Sequence, residues 1–546
     1  MKRRDFLKAT AVGVPLLATS FEGLLRKARA NTQYFCLHPF IEGHPEAVFI
    51  KRTQVAAKTD SEAKKQEGLR FAQEIFSLGD APGIPLSHRM TIKPNLTASY
   101  GVAKTEEGMG IITDRYFMEG LVTGIIGQGF SADKIYLREG NYLGDGYIPN
   151  EWSTTGYEEI AAGTGIHFAD FPTGRKLYEL THDTLVQGSE VTWIDCPDGN
   201  VFNRLGYVAP FGQEDTWLLN VAKLKAHGMG LTLSSKNLQG AAVPPYIHFC
   251  EGAEASKKRP ANVLQNFRPD FEENVQQLYA KHVADGIPRW DRPKMSGLSG
   301  YEMEQWAQRA CDSLSVLKSG LSIIEGIYAR NGNGFLAGPG PDGKAQDFLT
   351  NLLIFGKNPL LVDVIGYWLG GHEPGNFGFF HIAKERGLLT VLNPADIPLY
   401  TWENGDPKAA SLTDFERTPI LTYYLQRNYN GQNEAQYHLV NEPYEYTSVA
   451  DAGNEAGLPS TYILEQNYPN PFNASTRIEF SLPRDGHVLL EVYDALGQKV
   501  DVLENRWLKS GTHLATWSAV QNASGIYWCH LKAGDFQASK SMLLLR

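Results

Sequence analysis

Lys223, Lys225 and His227 stand at every second position, ending a run that opens like a buried strand: Trp217, Leu218, Leu219 and Val221 around one Asn220. In an extended chain these three side chains share a face. Ammonium groups and an imidazole gathered on one face attract a carboxylate or a phosphate. The same stretch holds the candidates for catalysis. Lys225, its pKa lowered by cationic neighbours, can act as base or nucleophile, and His227 can shuttle a proton near neutral pH. Gly228 and Gly230 break the strand, and Thr232, Ser234 and Ser235 offer caps for a short helix that carries Lys236 and Asn237 and stops at Gly240.

Met90–Asn95 repeats the pattern, with a short apolar strand running into Lys93 and Asn95 and Pro94 ending the ladder. Two strand ends that deliver Lys and Asn predict one crevice at the carboxyl edge of an α/β sheet. The alternative is a set of solvated lysines, which crowding of like charge on one face opposes. The loop Arg330–Gly340 adds Asn333 and Gly334 as ligand-binding candidates, because its glycines let backbone approach an anion; a plain connector is the competing assignment.

Other chemistries find little support. None of the five cysteines (Cys36, Cys196, Cys250, Cys311, Cys529) forms a C-x-x-C pair or a C-x-x-C-H haem site, so no iron–sulfur or haem motif is present and the cofactor is unknown. His248 with Cys250, and His372 with Glu373 and His381, lack metal-site spacing, and no metal ligand is assigned. There is neither a G-x-S-x-G elbow nor a P-loop lysine. Gly124, Gly127 and Gly129 come at the end of a helix and before a strand, the reverse of dinucleotide-binding order, and read as a helix stop. The formal net charge of −10 argues against nucleic acid or an anionic membrane as partner and sets the lysine clusters apart from an acidic whole.

The elements that must position these residues alternate. Strands at Ala47–Lys51, Met90–Ile92, Lys134–Leu137 and Ser322–Ile327 and helices at Ser61–Leu78, Asp114–Gly127, Tyr157–Ala162, Tyr301–Leu317 and Leu360–Leu369 predict an α/β fold. Its sheet is expected to be mainly parallel, with helices on both faces. Asp363, a lone carboxylate on an apolar helix, needs a partner and is expected to cap a neighbouring loop or orient a site lysine. At 546 residues several domains are expected: a targeting segment over 1–30, an α/β domain over 31–395, an extension and linker over 396–458, and over 459–546 a small antiparallel β-sandwich of immunoglobulin-like build.

Residues 1–30 join Lys2-Arg3-Arg4-Asp5-Phe6-Leu7-Lys8, an apolar run from Ala9 to Ser20 and Ala28-Arg29-Ala30, and resemble a twin-arginine signal peptide. IKPNL (Ile92–Leu96), KIYLREG (Lys134–Gly140), TGYEEIAAGTGI (Thr155–Ile166), NVAKLKAHG with KNLQG (Asn220–Gly240), IIEGIYARNGNG (Ile323–Gly334) and PLLVDVIG (Pro359–Gly366) are similar to the bacterial domain-of-unknown-function family 362. Phe335 stands where that family usually has proline. More remotely the domain resembles the nickel-cofactor lactate racemase fold, which implies chemistry on a small acid. LEQNYPNPFN (Leu464–Asn473), VYDALGQKV (Val492–Val500) and SGIYWCHLKAG (Ser524–Gly534) resemble the type IX secretion C-terminal sorting domain. These resemblances imply three partners: the twin-arginine translocase, the outer-membrane type IX machinery and a small anionic ligand. They imply passage through the periplasm to the surface or the extracellular space, with no membrane span in the mature chain. The function expected is therefore an exported protein that binds a small anion, with enzyme action on a small acid as its fuller form; the alternative is non-catalytic ligand capture.

Overall fold

The computed structural model describes residues 33–80, 83–96, 105–106, 108–140, 154–177, 188–243, 246, 261–293, 299–425, 437–446 and 461–545, except 468, 485, 509, 521 and 535. The twin-arginine signal peptide expected over 1–30, and His248 and Cys250, lie outside the described residues. The chain divides into two compact units, with the boundary between Tyr444 and Glu445.

The first unit is built on nine strands: β1 Val48–Arg52, β2 Arg89–Pro94, β3 Ile135–Leu137, β4 Thr216–His227, β5 Gly230–Thr232, β6 Leu321–Arg330, β7 Asp347–Gly356, β8 Leu399–Glu403 and β9 Asp406–Ala410. Their order is β9-β8-β1-β7-β6-β4-β2-β3, with β5 folded back on β4. Strands β8, β1, β6, β4, β2 and β3 run the same way, so their carboxyl ends line one edge. Every residue of β6 is buried, as expected of a strand covered on both faces. The sequence ends this domain at 395, yet β8 pairs in parallel with β1, and β9 follows it as a hairpin. Ile420, Tyr424 and Val440 beyond them are buried too. Weak periodicity after 395 hides these pieces, because what they bury is set by the sheet margin they cover.

On one face of the sheet lie α1, Ser61–Ile75, and α2, Arg115–Gly127. Asp114 starts α2 by accepting from the backbone N–H groups of Tyr116 and Phe117. The two helices meet backbone to backbone: a Cβ at Gly120 would collide with the Lys65 carbonyl, and one at Gly68 with that of Phe117. Gly129, the last of the three glycines, follows α2 with φ +101° and ends the helix, while Gly124 lies within it against Ala72 of α1. On the opposite face lie a short helix, α4, Ser234–Leu238, and α7, Pro359–Leu369. Further helices are α3 Tyr157–Thr164, α5 Phe271–Ala284, α6 Gly300–Val316 and α8 Gly378–Glu385, with short turns of helix at Pro39–Gly43 and Ala261–Leu264. Val191–Asp195 and Arg204–Val208 form a separate antiparallel pair. No described helix is long and apolar enough to cross a membrane.

The second unit is an antiparallel sandwich. Ile463–Leu464, Ser475–Leu482 and Gly511–Ser518 form one sheet, and Lys499–Leu508, Gly486–Tyr493, Gly525–Ala533 and Phe536–Leu544 the other. Alternate residues turn inward, as Thr476, Ile478 and Phe480 do, around a core that includes Val488, Leu490, Val492, Trp517, Cys529 and Met542.

Candidate functional site

Register decides which predicted residues meet. Lys93 lies opposite Asn220 on the neighbouring strand, so the two share a face. Lys223 lies opposite Glu325, three residues past Asn220, and therefore faces the other way. The lysines at the carboxyl edge thus divide between the two faces, and two buried polar networks replace the single crevice expected.

On the α4 face, the Lys93 ammonium is fully buried and donates to Glu139 Oε2 at 2.7 Å, the Pro94 carbonyl at 2.7 Å and Asn237 Oδ1 at 3.2 Å. Burial lowers the Lys93 pKa and raises that of Glu139, while their contact works against both shifts. Asn237 uses its whole amide: Oδ1 also accepts from Asn95 at 3.1 Å, and Nδ2 donates to the Lys93 carbonyl at 3.1 Å and Asn220 Oδ1 at 2.8 Å. Among the described residues, Asn95 Oδ1 is buried with no hydrogen-bond partner. Asp363 holds this helix in place, accepting the backbone N–H groups of Ser234 at 2.7 Å and Ser235 at 2.8 Å. Burial pushes its carboxyl up to about 7, against the pull of those bonds. Of the two roles expected for Asp363, capping is the one found.

On the α1–α2 face, the buried Lys223 donates to both oxygens of Glu325, at 2.8 and 3.0 Å, and sits 3.6 Å from the centre of the Tyr328 ring. Burial lowers its pKa and Glu325 opposes the shift. Beside this pair, Lys64 binds Asp114 Oδ2 at 2.6 Å, and the Tyr328 hydroxyl donates to the same oxygen at 2.7 Å. Here every buried ammonium has a carboxylate.

Lys225 is different. It is 1% exposed, and its ammonium donates to two backbone carbonyls, Ile111 at 2.6 Å and Gly334 at 3.3 Å. Burial first, then Lys236 and Arg330, hold its pKa well below the usual lysine value. Lys236, half-buried on α4, has no hydrogen bond or ion pair among the described residues. His227 is half-buried, and its pKa is held well below the usual range by burial, then by Lys236 and Lys225. Its Nδ1 accepts from the Met229 backbone N–H at 3.1 Å, which leaves the proton on Nε2 and makes that atom a donor. The glycine loop closes over this end of β4. Gly334, at φ +96°, lies so close that a Cβ would press on His227, and Asn333 Oδ1 braces the turn by accepting from the Phe335 N–H at 3.0 Å. The Phe335 ring lies 5.6 Å from the Lys225 ammonium and 6.0 Å from the His227 ring.

The partners that sequence reasoning missed are Glu139, Glu325, Asp114 and Lys64. A signal existed: a carboxylate near the end of an apolar strand, as in IYLRE and IIE, is the natural counter-charge for a lysine on the next strand. Elsewhere, His372 lies between the Ile420 carbonyl and the Val440 N–H, and His381 meets the Gly375 carbonyl, so both are held by backbone. Among the described residues no group of three His, Cys, Asp or Glu side chains could hold a metal ion.

Comparison with known proteins concerns both units. A family model for the secretion system C-terminal sorting domain matches residues 466–544, so the tail marks the chain for the type IX machinery and for export to the cell surface or extracellular space. A solved structure of PorZ, an essential bacterial surface component of the type IX secretion system of Porphyromonas gingivalis, is similar over 17% of this chain and 13% of that chain, at 17% identity and a TM-score of 0.12. The chain thus spans about an eighth of the PorZ chain it matches. No curated protein matches. The model for the domain of unknown function DUF362 matches residues 90–368, just over half of the 546 residues and all of the lysine-bearing edge, and the chain belongs to that family.

Proposed function

We propose that the α/β domain binds a small carboxylate or phosphate at the end of β4. Lys225, Lys236 and the Nε2–H of His227 are its ligands, and Asn333 and Gly334 close the loop beside it. Lys93, Asn95, Lys223 and Asn237 take a positioning role: the two ammonium groups, the Asn95 Nδ2 and the Asn237 amide are engaged with Glu139, Glu325 and one another, and they hold β2, β4 and α4 together.

The observation that carries this is the contrast in counter-charge. Lys64, Lys93 and Lys223 each have a carboxylate within 2.8 Å, whereas among the described residues Lys225 has two carbonyls and no carboxylate, and Lys236, whose charge acts on it, is unpaired. A buried cation without counter-charge is costly, and an arriving anion supplies that charge. Burial and the charges of Lys236 and Arg330 favour the neutral amine at Lys225, so a small acid bound there can lose a proton to it while His227 donates to the oxygen.

Isothermal titration of the whole chain with inorganic phosphate and with malonate tests the binding. An anion beside Lys225 opposes the lowering of its pKa, and any proton taken up on binding is seen as a heat that varies with the buffer's ionisation enthalpy. Lys225→Ala and Lys236→Ala are each expected to weaken binding at least about tenfold, the loss of one charge-assisted contact. Affinity unchanged in both variants refutes the site. Deuterium exchange into the bound acid, abolished in Lys225→Ala, tests the catalytic part.

A further inference from the structure

A second feature of the same sheet edge is independent of the lysine site. Near the other margin of the sheet, the carboxyl ends of the parallel strands β1 and β8 open on a cavity of about 290 Å³. Ile50, Trp402 and Phe415, all buried, form its apolar lining. Its charged lining comes from Lys51 and Arg52 on β1, Glu67 and Arg70 on α1, and Glu403 on β8.

The charges do not cancel. Lys51 is neutralised by Glu74 at 2.9 Å. Glu67 is buried, accepts the Gln54 N–H at 3.0 Å and pairs with Arg70 at 3.4 Å. Glu403, also in the lining, is bound by Lys408 at 3.0 Å. Arg52 has no ion pair or side-chain hydrogen bond among the described residues, so one guanidinium is left over. The side-chain amides of Gln54 and Asn404, on the same lining, are likewise without partners among the described residues and carry further N–H donors. Arginine's planar fork matches a carboxylate or phosphate in a two-point contact. Crevices at the carboxyl ends of parallel strands are where open α/β sheets take ligands.

We propose that this cavity is a second anion site, which takes a small carboxylate or phosphate on the Arg52 guanidinium. Arg70, already engaged by Glu67, supplies a flanking positive charge, and the apolar lining accepts a short hydrocarbon part. The volume confines the guest to a small molecule, at the lower end of ligand pockets.

The test is the stoichiometry of inorganic phosphate binding to the whole chain, by titration calorimetry at low ionic strength. Arg52 is exposed, so its replacement leaves the core intact. Wild type is expected to bind two phosphates, Arg52→Ala one, and Arg52→Lys two with the second weakened, since lysine keeps the charge and loses the fork. Lys236→Ala is expected to lose the other phosphate. Loss with Arg52→Ala but not with Lys236→Ala upholds this site and refutes the lysine site. Phosphate binding unaffected by Arg52→Ala, or no binding by wild type, overturns the proposal.

Discussion

Replacing Glu325 by Gln tests the account of the buried lysines most directly. Glu325 Oε1 accepts Lys223 at 3.0 Å and the Ile327 N–H at 2.9 Å; Oε2 accepts Lys223 at 2.8 Å and the Asp114 N–H at 3.0 Å. Neither oxygen can become an NH₂ group without facing a backbone donor. Glu325→Gln therefore strips the counter-charge from a fully buried ammonium, about 3–5 kcal/mol. It also sets donor against donor, about 1–3 kcal/mol, so the loss is expected to be at least about 5 kcal/mol. Lys223→Met leaves the carboxylate its two backbone N–H groups and costs less, about 3 kcal/mol. With the ammonium gone, the amide's remaining penalty is the local clash, so the double variant is expected to lose about the same as Glu325→Gln alone. That corresponds to a coupling of about 2–3 kcal/mol. Urea denaturation with calorimetry of the whole chain reads this. At roughly 2 °C per kcal/mol for a large domain, the α/β transition in Glu325→Gln drops by about 10 °C. The tail's transition stays put and serves as the internal control. Additivity of the two single changes to within about 0.5 kcal/mol, or a larger loss for Lys223→Met than for Glu325→Gln, refutes the reasoning.

Further outcomes follow from other contacts. Gly120→Ala drives a Cβ into the Lys65 carbonyl at the α1–α2 crossing and is expected to destabilise by about 1–3 kcal/mol, read as a lowered urea midpoint. Asp363→Ala leaves the Ser234 and Ser235 N–H groups buried without their acceptor, a loss of about 2–4 kcal/mol, and increases hydrogen exchange at those two amides. His282, buried between Glu304 at 2.7 Å and Glu385 at 3.0 Å, is a pH-dependent tie between α5, α6 and α8. Burial lowers its pKa, but the two carboxylates, Glu304 foremost, outweigh this and hold it above its ordinary 6.5. The folded state thus keeps a proton that the unfolded chain gives up. This stabilisation is full below 6.5 and disappears as pH rises through the raised value. Melting temperatures across that window are expected to fall more steeply for wild type than for His282→Asn.

Much of the chain is legible without coordinates. Alternation in Ser475–Leu482 announces a half-buried strand because one face must be apolar, and the same rule finds most of the tail. Lys499–Leu508 carries no such signal because it is an edge strand, largely exposed, with no buried face to write a pattern. In the α/β domain the apolar runs of β2, β4 and β6 and the helices α2 and α7 are local properties, and they are where the sequence puts them. The sequence by itself thus determined the family, the export tail and the strand ends that carry Lys93, Lys223, Lys225 and His227. Only the tertiary structure decided which of those lysines are neutralised. That depends on register between strands far apart in the chain: Lys93 opposite Asn220 turns it toward Glu139 and Asn237, and Lys223 opposite Glu325 turns it the other way. A shift of one residue exchanges the faces of every side chain, and no local pattern encodes it. Lys225 differs from its neighbours for the same physical reason: the fold brings it carbonyl groups where it brings the others carboxylates.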